Sequence, residues 1–352
     1  MARARHGKKK KKGLKIFIFL VICVLIVAGV YYYLNNKDEV EDILKPEKKL
    51  KIVDENSKSR PVAVMINNNH DAWPHAGLQD AYISYEIIAE GGITRIMALF
   101  KDQDTEKIGS VRSARPYYLD YALENDAIYV HYGWSEKAKA DISSLGVDNI
   151  NGLTDSDTFW RDTTLNKATE HTVFTSIENI KKTAEEKGYM RDTNKDLLLQ
   201  YSVDEISLKK RDDAKKADNV YIKYSYYTDT SYEYDKENKV YKRSMSGEPH
   251  VDAVTGKQYT VKNIIVISVG NHSYDDYGRQ ELENIGTGEG YFITDGYAVP
   301  ITWEKDSRSS QTVYKYASNG KEIKVNDGNT FIQIQPKGET LTIEGNEESN
   351  AS

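Results

Sequence analysis

An uncharged run near the N-terminus, Ile16 to Leu34, constrains the fold of this chain more than any other feature. It holds nineteen residues, and about 20 apolar residues in a helix can cross a hydrocarbon core ~30 Å thick. Residues 1–15 carry eight lysines and arginines and no acid, and such basic flanks stay on the cytoplasmic side. We predict a basic cytoplasmic tip (1–15), a transmembrane anchor (16–34) and an extracellular remainder, making a single-pass protein of the cell membrane.

Two other interpretations of this run fit its residues less well. A cleaved signal peptide has a shorter apolar core and a small-residue cleavage site, whereas Tyr31 to Tyr33 follow Ala28-Gly29 here. A lipoprotein signal has small residues before its cysteine, whereas Cys23 follows Val21 and Ile22 in mid-run. We therefore predict an uncleaved anchor. Because Cys23 is the only cysteine, disulfides within the chain and thiolate metal sites are excluded.

The charge of the chain is divided unevenly. Its formal net charge is −6, from 48 lysines and arginines and 54 acids. Eight of these bases lie in the tip, which leaves 40 bases against 54 acids, or −14, for the rest. Nucleic-acid binding depends on a basic surface, so this acidic body argues against a nucleic-acid partner. The 26 tyrosines against 7 phenylalanines favour half-exposed sheets and interfaces, because a phenol joins an apolar ring to a polar tip.

The first part of the extracellular chain is predicted to mix strands and helices. Residues 35–60 are charged and poor in aromatics, which is typical of a linker. From residue 61 onwards, apolar strand-like runs such as VAVMI alternate with helical patterns at 116–125, 137–145 and 176–188. We therefore predict an α/β domain over residues 61–215.

The second part is predicted to be mostly strands. Residues 219–336 alternate with period two, and Asp295-Gly296 and Asn319-Gly320 are typical of hairpins. Residues 337–352 are rich in Gly, Glu, Asn and Ser and are predicted to be a disordered tail. The predicted fold class is thus an α/β N-terminal ectodomain followed by a mostly antiparallel β domain, behind one transmembrane helix.

Three arginines lie close together between Gly91 and Tyr132, within sequence that otherwise indicates buried strand and helix. Arg95, Arg112 and Arg115 fall within 21 residues. A guanidinium presents a planar fork of donors that suits carboxylate or phosphate. Ser113 lies just before a predicted helix start, where free backbone N–H groups also favour an anion. The sequence therefore predicts a pocket for an oxyanion.

The alternative is that these arginines only pair with carboxylates of the fold, the candidates being Glu86, Glu90 and Asp120. For Arg95 this is the favoured interpretation, because it lies on an otherwise apolar strand from Ile93 to Phe100. A charge in such a strand needs a partner, since burying it alone costs several kcal/mol.

Four further polar residues are candidates for the same pocket: His131, Arg161, Asp162 and His171. His131 ends a predicted strand, and ligands bind at strand ends in α/β sheets. Asp162 and His171 could form an acid–base pair, or Asp162 could simply cap a turn. The sequence has no Walker loop, G-x-S-x-G, H-E-x-x-H or metal-ligand spacing, so we predict neither a metal nor a cofactor.

Several stretches carry a resemblance to a known family: RPVAVMINN, EGGITRIMALF, IGSVRSARPY, DAIYVHYG, FWRD, GYFITDG and Gly-Arg-Gln-Glu-Leu at 278–282. The chain resembles the YerB-like proteins, which carry paired DUF3048 domains, from about residue 60 to 336. The resemblance implies an exported, membrane-attached, two-domain protein of Gram-positive bacteria, often a lipoprotein, with no settled activity. This chain differs from the family in having an anchor helix in place of a lipobox. It also has Glu170-His171-Thr172 where a sequence similar to Pro-His-Asn is expected, which puts a role for His171 in question.

A second similarity concerns only the class of ligand. The order of strand, acidic turn, strand and arginine-bearing loop is similar to the LytR-CpsA-Psr wall-polymer transferases, which hold a polyprenyl pyrophosphate with arginines.

Three hypotheses about function follow. The first is an accessory or regulatory protein that binds an anionic or glycan component of the cell envelope through the arginine-lined pocket. Its partner would be an anionic wall polymer, a lipid-linked precursor or an envelope protein. The second is a transferase or hydrolase acting on a phosphate- or sugar-linked wall precursor, with His131 or Asp162 as base and the arginines stabilising charge. The third is a structural module in which every charge is paired internally.

Overall fold

The computed structural model describes residues 7–36 and 48–346. Residues 1–6 of the predicted tip, 37–47 of the predicted linker and 347–352 of the predicted tail lie outside the described residues. The chain divides into two compact units, residues 1–49 and residues 50–352, and each is described by itself.

The first unit contains one long helix, α1 (Gly7–Asn35). Its apolar part, Gly13–Asn35, spans 23 residues. By length and composition this helix can cross a membrane. The prediction of an N-terminal apolar helix is therefore confirmed.

The second unit contains three α-helices at the predicted places: α2 (Pro116–Glu124), α3 (Glu136–Ser144) and α4 (Ile177–Glu186). Ser176 caps α4, because its side chain accepts a hydrogen bond from the Asn179 N–H at 3.1 Å. Pro116 takes the first position of α2, where its missing N–H costs nothing. Short 3-10 helices cover His70–Ala72, Leu78–Asp80, Glu90–Gly92, Ser156–Thr158, Thr169–His171 and Leu208–Lys210.

Strands make up most of the remaining regular structure. The first half of the unit contains β1 (Val62–Asn67), β2 (Ile83–Ile88), β3 (Thr94–Phe100), β4 (Ile108–Gly109), β5 (Ile128–His131), β6 (Asn149–Asn151), β7 (Phe159–Arg161), β8 (Val173–Thr175) and β9 (Gln200–Ser202). The second half continues with β10 (Lys215–Lys216), β11 (Asn219–Lys223), β12 (Asp229–Asp235), β13 (Val240–Met245), β14 (Glu248–Pro249), β15 (Thr260–Val261), β16 (Asn263–Val269), β17 (Asn271–Ser273) and β18 (Gln280–Leu282). It ends with β19 (Gly286–Thr294), β20 (Tyr297–Lys305), β21 (Val313–Tyr316), β22 (Lys324–Asn326), β23 (Thr330–Pro336) and β24 (Leu341–Glu344).

A mixed central sheet joins the two halves of the unit. Its strand order is β10-β20-β19-β16-β23-β2-β3-β1-β5-β6, with β21 beside β20. β2 pairs in parallel with β23, so Tyr85 lies opposite Ile332. The segments predicted as domains, 61–215 and 219–336, therefore contribute to one sheet within one compact unit. The protein is a helix followed by a mostly β unit.

Both faces of the central sheet are covered, which explains the continuous apolar runs of its strands. Along β1, Ala63 and Met65 face a core shared with α2 and α3. Val64 and Ile66 face the opposite core, shared with α4 and a second sheet. That second sheet is antiparallel, in the order β14-β13-β12-β11-β24 with β15 beside β13. The first half of the unit also forms a small three-stranded sheet, in the order β4-β8-β7.

Two predicted boundaries differ from the structure. Residues 50–60, predicted as linker, belong to the folded second unit: the Lys51 and Ile52 N–H groups donate to the Asp327 carboxylate at 3.0 Å. In the predicted disordered tail, β24 pairs with β11. β24 covers the edge of β11 and is itself the outer strand of the second sheet. The four-residue strand β24 was not predicted because the sequence on either side of it is polar and rich in glycine.

Candidate functional site

The candidate arginines lie at one edge of the central sheet. β1 and β5 run parallel, β3 runs antiparallel to β1 and β2, and the C-terminal ends of β1, β2 and β5 therefore meet there. The segment 111–114 crosses this edge: the Arg112 N–H donates to the Met65 carbonyl at 2.9 Å, and the Tyr132 N–H donates to the Arg112 carbonyl at 3.0 Å. Such sheet edges are common ligand sites.

Two of the three arginines share one carboxylate, Glu90. The Arg115 Nε donates to Glu90 Oε1, and Arg95 Nη2 lies 3.3 Å from Glu90 Oε2. Arg95 also donates to the Ser113 carbonyl, while Arg115 Nη1 donates to the Ala114 carbonyl at 2.7 Å. Burial raises the pKa of Glu90, but the two arginines outweigh it and leave this pKa below its ordinary value. The expected ion pair of Arg95 is confirmed.

Arg112 is different from its two neighbours. Its guanidinium is half-buried, and within residues 7–36 and 48–346 it makes neither a hydrogen bond nor an ion pair. Burial lowers the pKa of Arg112, whereas the nearby Glu170 raises it. A partly desolvated guanidinium with five unused donors is a site for an anion.

His171 lies close enough to Arg112 for the two to interact electrostatically. Its Nδ1 lies 2.8 Å from the amide Nδ2 of Asn67, which can only donate. The proton of neutral His171 is therefore on Nε2. This N–H has no hydrogen-bond partner among the described residues, so it is a second free donor next to Arg112. Burial lowers the pKa of His171, which keeps the ring neutral near pH 7.

Asn67 belongs to a longer buried chain of hydrogen bonds. His75 Nε2 donates to the Asn67 carbonyl at 2.7 Å, so His75 Nδ1 accepts from His250 Nε2, also at 2.7 Å. His250 Nδ1 in turn accepts from Arg243. Arg243 ends the chain in an ion pair with Glu86 at 2.6 Å. The tautomers of His75 and His250, and the position of the Asn67 backbone carbonyl, are thus set by buried groups behind the candidate site.

The other predicted site residues have contacts that account for them. The fully buried His131 places Nδ1 2.8 Å from the Gly133 carbonyl and Nε2 3.2 Å from Asn149 Oδ1. Ser113 donates to the Tyr132 carbonyl at 3.0 Å. Burial lowers the pKa of His131. The use of His131 as a base stays a prediction.

Arg161 and Asp162 lie on and just after β7. The exposed Arg161 donates to the Thr169 carbonyl at 2.5 Å. Asp162 pairs with Lys107 at 2.7 Å and accepts from the Thr164 N–H at 3.1 Å, which is the turn-capping role weighed from sequence. Hydrogen bonds from Lys107 and Thr164 lower the pKa of Asp162 to about 2.

Of the predicted site residues, the structure brings together Arg95, Arg112, Ser113 and Arg115, with His171 beside them.

Sequence reasoning missed Asn67 and Tyr277. Asn67 ends β1, and the strand-end position applied to His131 would have identified it too. Tyr277, which interacts electrostatically with Arg112, comes from the other half of the chain. No local signal could have placed it here, because its position depends on the pairing of β2 with β23.

Comparison with known proteins identifies the family. Residues 49–190 match the family described as "Protein of unknown function (DUF3048) N-terminal domain", and residues 220–332 match the corresponding C-terminal domain. The chain is 34% identical to "Putative lipoprotein YerB" of Bacillus subtilis (strain 168) over 340 residues, which covers 92% of this chain and 97% of the relative. The crystal structure of YerB protein from Bacillus subtilis superposes with a TM-score of 0.71 at 32% identity, covering 84% of this chain and 99% of that one. The predicted resemblance is confirmed, and the chain belongs to the YerB-like family with paired DUF3048 domains.

Proposed function

We propose that this chain is a membrane-anchored, extracytoplasmic protein that binds an anionic component of the cell envelope through Arg112. The observation that carries the proposal is the half-buried Arg112 guanidinium, which has no hydrogen-bond or ion-pair partner among the described residues. Buried or partly buried charges in proteins are normally paired. An anionic ligand would supply the pair that the fold does not.

The surroundings of Arg112 support an anion. Arg95 and Arg115 add two positive charges, against the Glu90 carboxylate that both contact and the exposed Glu170 near Arg112. The free Nε2–H of His171 adds a neutral donor nearby. Since the body of the protein is acidic, this concentration of positive charge gives an anion one preferred place to bind.

The membrane location rests on α1 and its flanks. The apolar segment Gly13–Asn35 is long enough to span a bilayer. Eight bases and no acid in residues 1–15 support an N-terminus in the cytoplasm. A relative named as a lipoprotein supports attachment to the outer face of the membrane. The proposed ligand is therefore an anionic wall polymer or a lipid-linked precursor within reach of the membrane.

The enzyme alternative has weaker support. Its two candidate bases are already engaged, His131 within the core and Asp162 with Lys107. The binding role uses only the free donors of Arg112 and His171, so we regard it as the function that the geometry supports best.

Arg112→Gln is expected to weaken anion binding about tenfold or more, because charge-assisted hydrogen bonds contribute ~1.5–3 kcal/mol. The melting temperature should stay within about 2 °C of the wild type, since no side-chain hydrogen bond or ion pair among the described residues is lost. Binding of poly(glycerol phosphate) and inorganic phosphate to the full chain in detergent, by calorimetry, measures the first effect.

Arg191→Gln is the matched control. It removes the same charge from an exposed arginine that pairs with Asp126, and we expect unchanged binding. Unaltered binding in Arg112→Gln would refute the proposed site. A large fall in its melting temperature would instead identify Arg112 as a structural residue.

A further inference from the structure

Exposed tyrosines lie on two loops that reach the turn after Glu90. The side chains of Tyr226 and Tyr277 are 89% and 74% exposed, and those of Tyr227 and Tyr274 are each 37% exposed. We call these four residues the aromatic rim. Single exposed aromatic rings need no explanation, but a group of them beside a polar site is typical of a binding surface.

Two loops bring the rim to the arginines, and both contact the turn after Glu90. Ser225 Oγ donates to the Gly92 carbonyl at 2.6 Å, and a Cβ on Gly92 would lie 3.6 Å from Tyr226 Cε1. A Cβ on Gly278 would lie 3.9 Å from the Gly91 nitrogen. Gly91 and Gly92 have φ of 69° and 75°, a conformation that favours glycine. These glycines let the loops approach the carboxylate that holds Arg95 and Arg115.

The rim is continuous on both sides of this turn. On one side Tyr227 stacks on His70, with ring centroids 4.3 Å apart. On the other side the Arg279 guanidinium lies 4.9 Å from the Tyr277 ring centroid, while Arg279 also pairs with Asp275 at 2.8 Å. Tyr277 interacts electrostatically with Arg112. The contacts of both loops with Gly91 and Gly92 therefore bring these rings beside Glu90, the carboxylate that holds Arg95 and Arg115.

The chemistry of this surface fits a sugar better than a simple anion. A phenol ring has an apolar face and a polar hydroxyl at its edge, which matches a pyranose with its C–H face and its equatorial hydroxyl groups. Glu170 is exposed and interacts electrostatically with Arg112 without an ion pair between them, so its carboxylate can accept from hydroxyl groups. A carboxylate at this position disfavours a densely charged ligand and favours one with few anionic groups.

We infer that the ligand is a glycan of at least two sugar rings that carries a phosphate or carboxylate group. The anionic group binds Arg112 and His171, and the sugar rings stack on Tyr226 and Tyr277. This inference rests on the proposed function, since it assigns the anion to Arg112. The rim does not suit a membrane surface as well, because the acidic body and the exposed Glu170 repel anionic headgroups.

The test uses the full chain in detergent and three probes: an N-acetylglucosamine oligomer, the same oligomer with a terminal phosphate, and inorganic phosphate. Tyr226→Ala with Tyr277→Ala is expected to weaken binding of the phosphorylated oligomer about tenfold or more, by loss of ring stacking. Binding of inorganic phosphate should be unchanged. Tyr226→Phe with Tyr277→Phe keeps both rings and should bind within about threefold of the wild type.

The failures of the two proposals are distinguishable. If the double alanine variant binds the phosphorylated oligomer normally while Arg112→Gln does not, the aromatic rim is refuted and the anion site stands. The same holds if the wild type binds phosphate and neither oligomer. If both oligomers bind and Arg112→Gln has no effect, the anion site is refuted and the rim stands. Protection of Tyr226 and Tyr277 from iodination only in nanodiscs of anionic lipid would overturn the glycan in favour of a membrane surface.

Discussion

Arg243→Met is expected to lower the free energy of unfolding by about 3–5 kcal/mol. Arg243 and Glu86 are both fully buried and form an ion pair with 2.6 Å between Nη2 and Oε2. Removing the arginine leaves a carboxylate uncompensated in the core, and that uncompensated charge causes most of the loss. Urea unfolding of the full chain in detergent, followed by tryptophan fluorescence, measures the change.

This pair links two layers of the protein. Glu86 lies on β2 of the central sheet, and Arg243 lies on β13 of the second sheet. Glu86 also accepts hydrogen bonds from Thr94 at 2.8 Å and Asn68 at 3.1 Å. The loss of stability should therefore appear as one cooperative transition with its midpoint at a lower urea concentration, because neither sheet can keep its inner face buried without the other.

Two controls separate the buried charge from the lost contacts. Adding Glu86→Gln to Arg243→Met removes both charges, and we expect about half of the lost stability or more to return. Arg191→Met breaks a pair of similar length, 2.6 Å to Asp126, in which the arginine side chain is 47% exposed. Because Asp126 keeps Arg60 as a second partner, this change should cost only about 1 kcal/mol. Equal losses in Arg191→Met and Arg243→Met, or no recovery in the double variant, would contradict the argument.

The helices and the grouping of the three arginines could be predicted from sequence because their signals are local. Pro116 and the Ser176 cap lie at the starts of their helices, and capping depends on residues only three apart. The joined sheet could not be predicted in the same way. The pairing of β2 with β23 brings Ile83 opposite Thr330. Hydrophobic periodicity predicts which residues of a strand are buried, but it does not identify the strand that pairs with it.

The same limit applies to the site. Arg95, Arg112 and Arg115 were found as a group, but only the structure distinguishes them, because Glu90 is long enough to contact two of them and leaves Arg112 free. In the sequence, carboxylates lie near all three arginines, so the sequence alone does not show which arginine is unpaired. The aromatic rim depends on loops from the second half of the chain, so no spacing in the first half could indicate it.

The buried histidines lead to the second large prediction, which concerns pH. Burial, the largest cause, lowers the pKa of His75 to about 3, with Arg243 adding to the shift and the Asn67 carbonyl opposing it. Burial and the charge of Arg243 also lower the pKa of His250 well below its ordinary value. Both rings are therefore neutral in the folded protein at pH values where they would be protonated in the unfolded chain, whose histidine pKa is about 6.5.

The sign of the effect follows from proton binding. The unfolded state binds more protons than the folded state below pH 6.5, so stability must fall as pH falls from 6.5 towards 3. Each histidine is expected to cost about 1.4 kcal/mol per pH unit over this range. Between pH 6.5 and pH 4.5 the two together should lower the free energy of unfolding by about 5 kcal/mol.

Replacing His75 and His250 with glutamine isolates the contribution of these two rings to the pH dependence of stability. The double variant starts less stable, because the amides replace ring hydrogen bonds only in part, but its stability should fall less steeply between pH 6.5 and pH 4.5, by up to about 2.7 kcal/mol per pH unit. Carboxylates contribute to both proteins and cancel in the comparison. His272→Gln, on a side chain that is 60% exposed, should follow the wild-type curve. Urea unfolding at half-unit steps of pH measures the slopes, and parallel curves for wild type and double variant would show that these rings already hold protons in the folded protein.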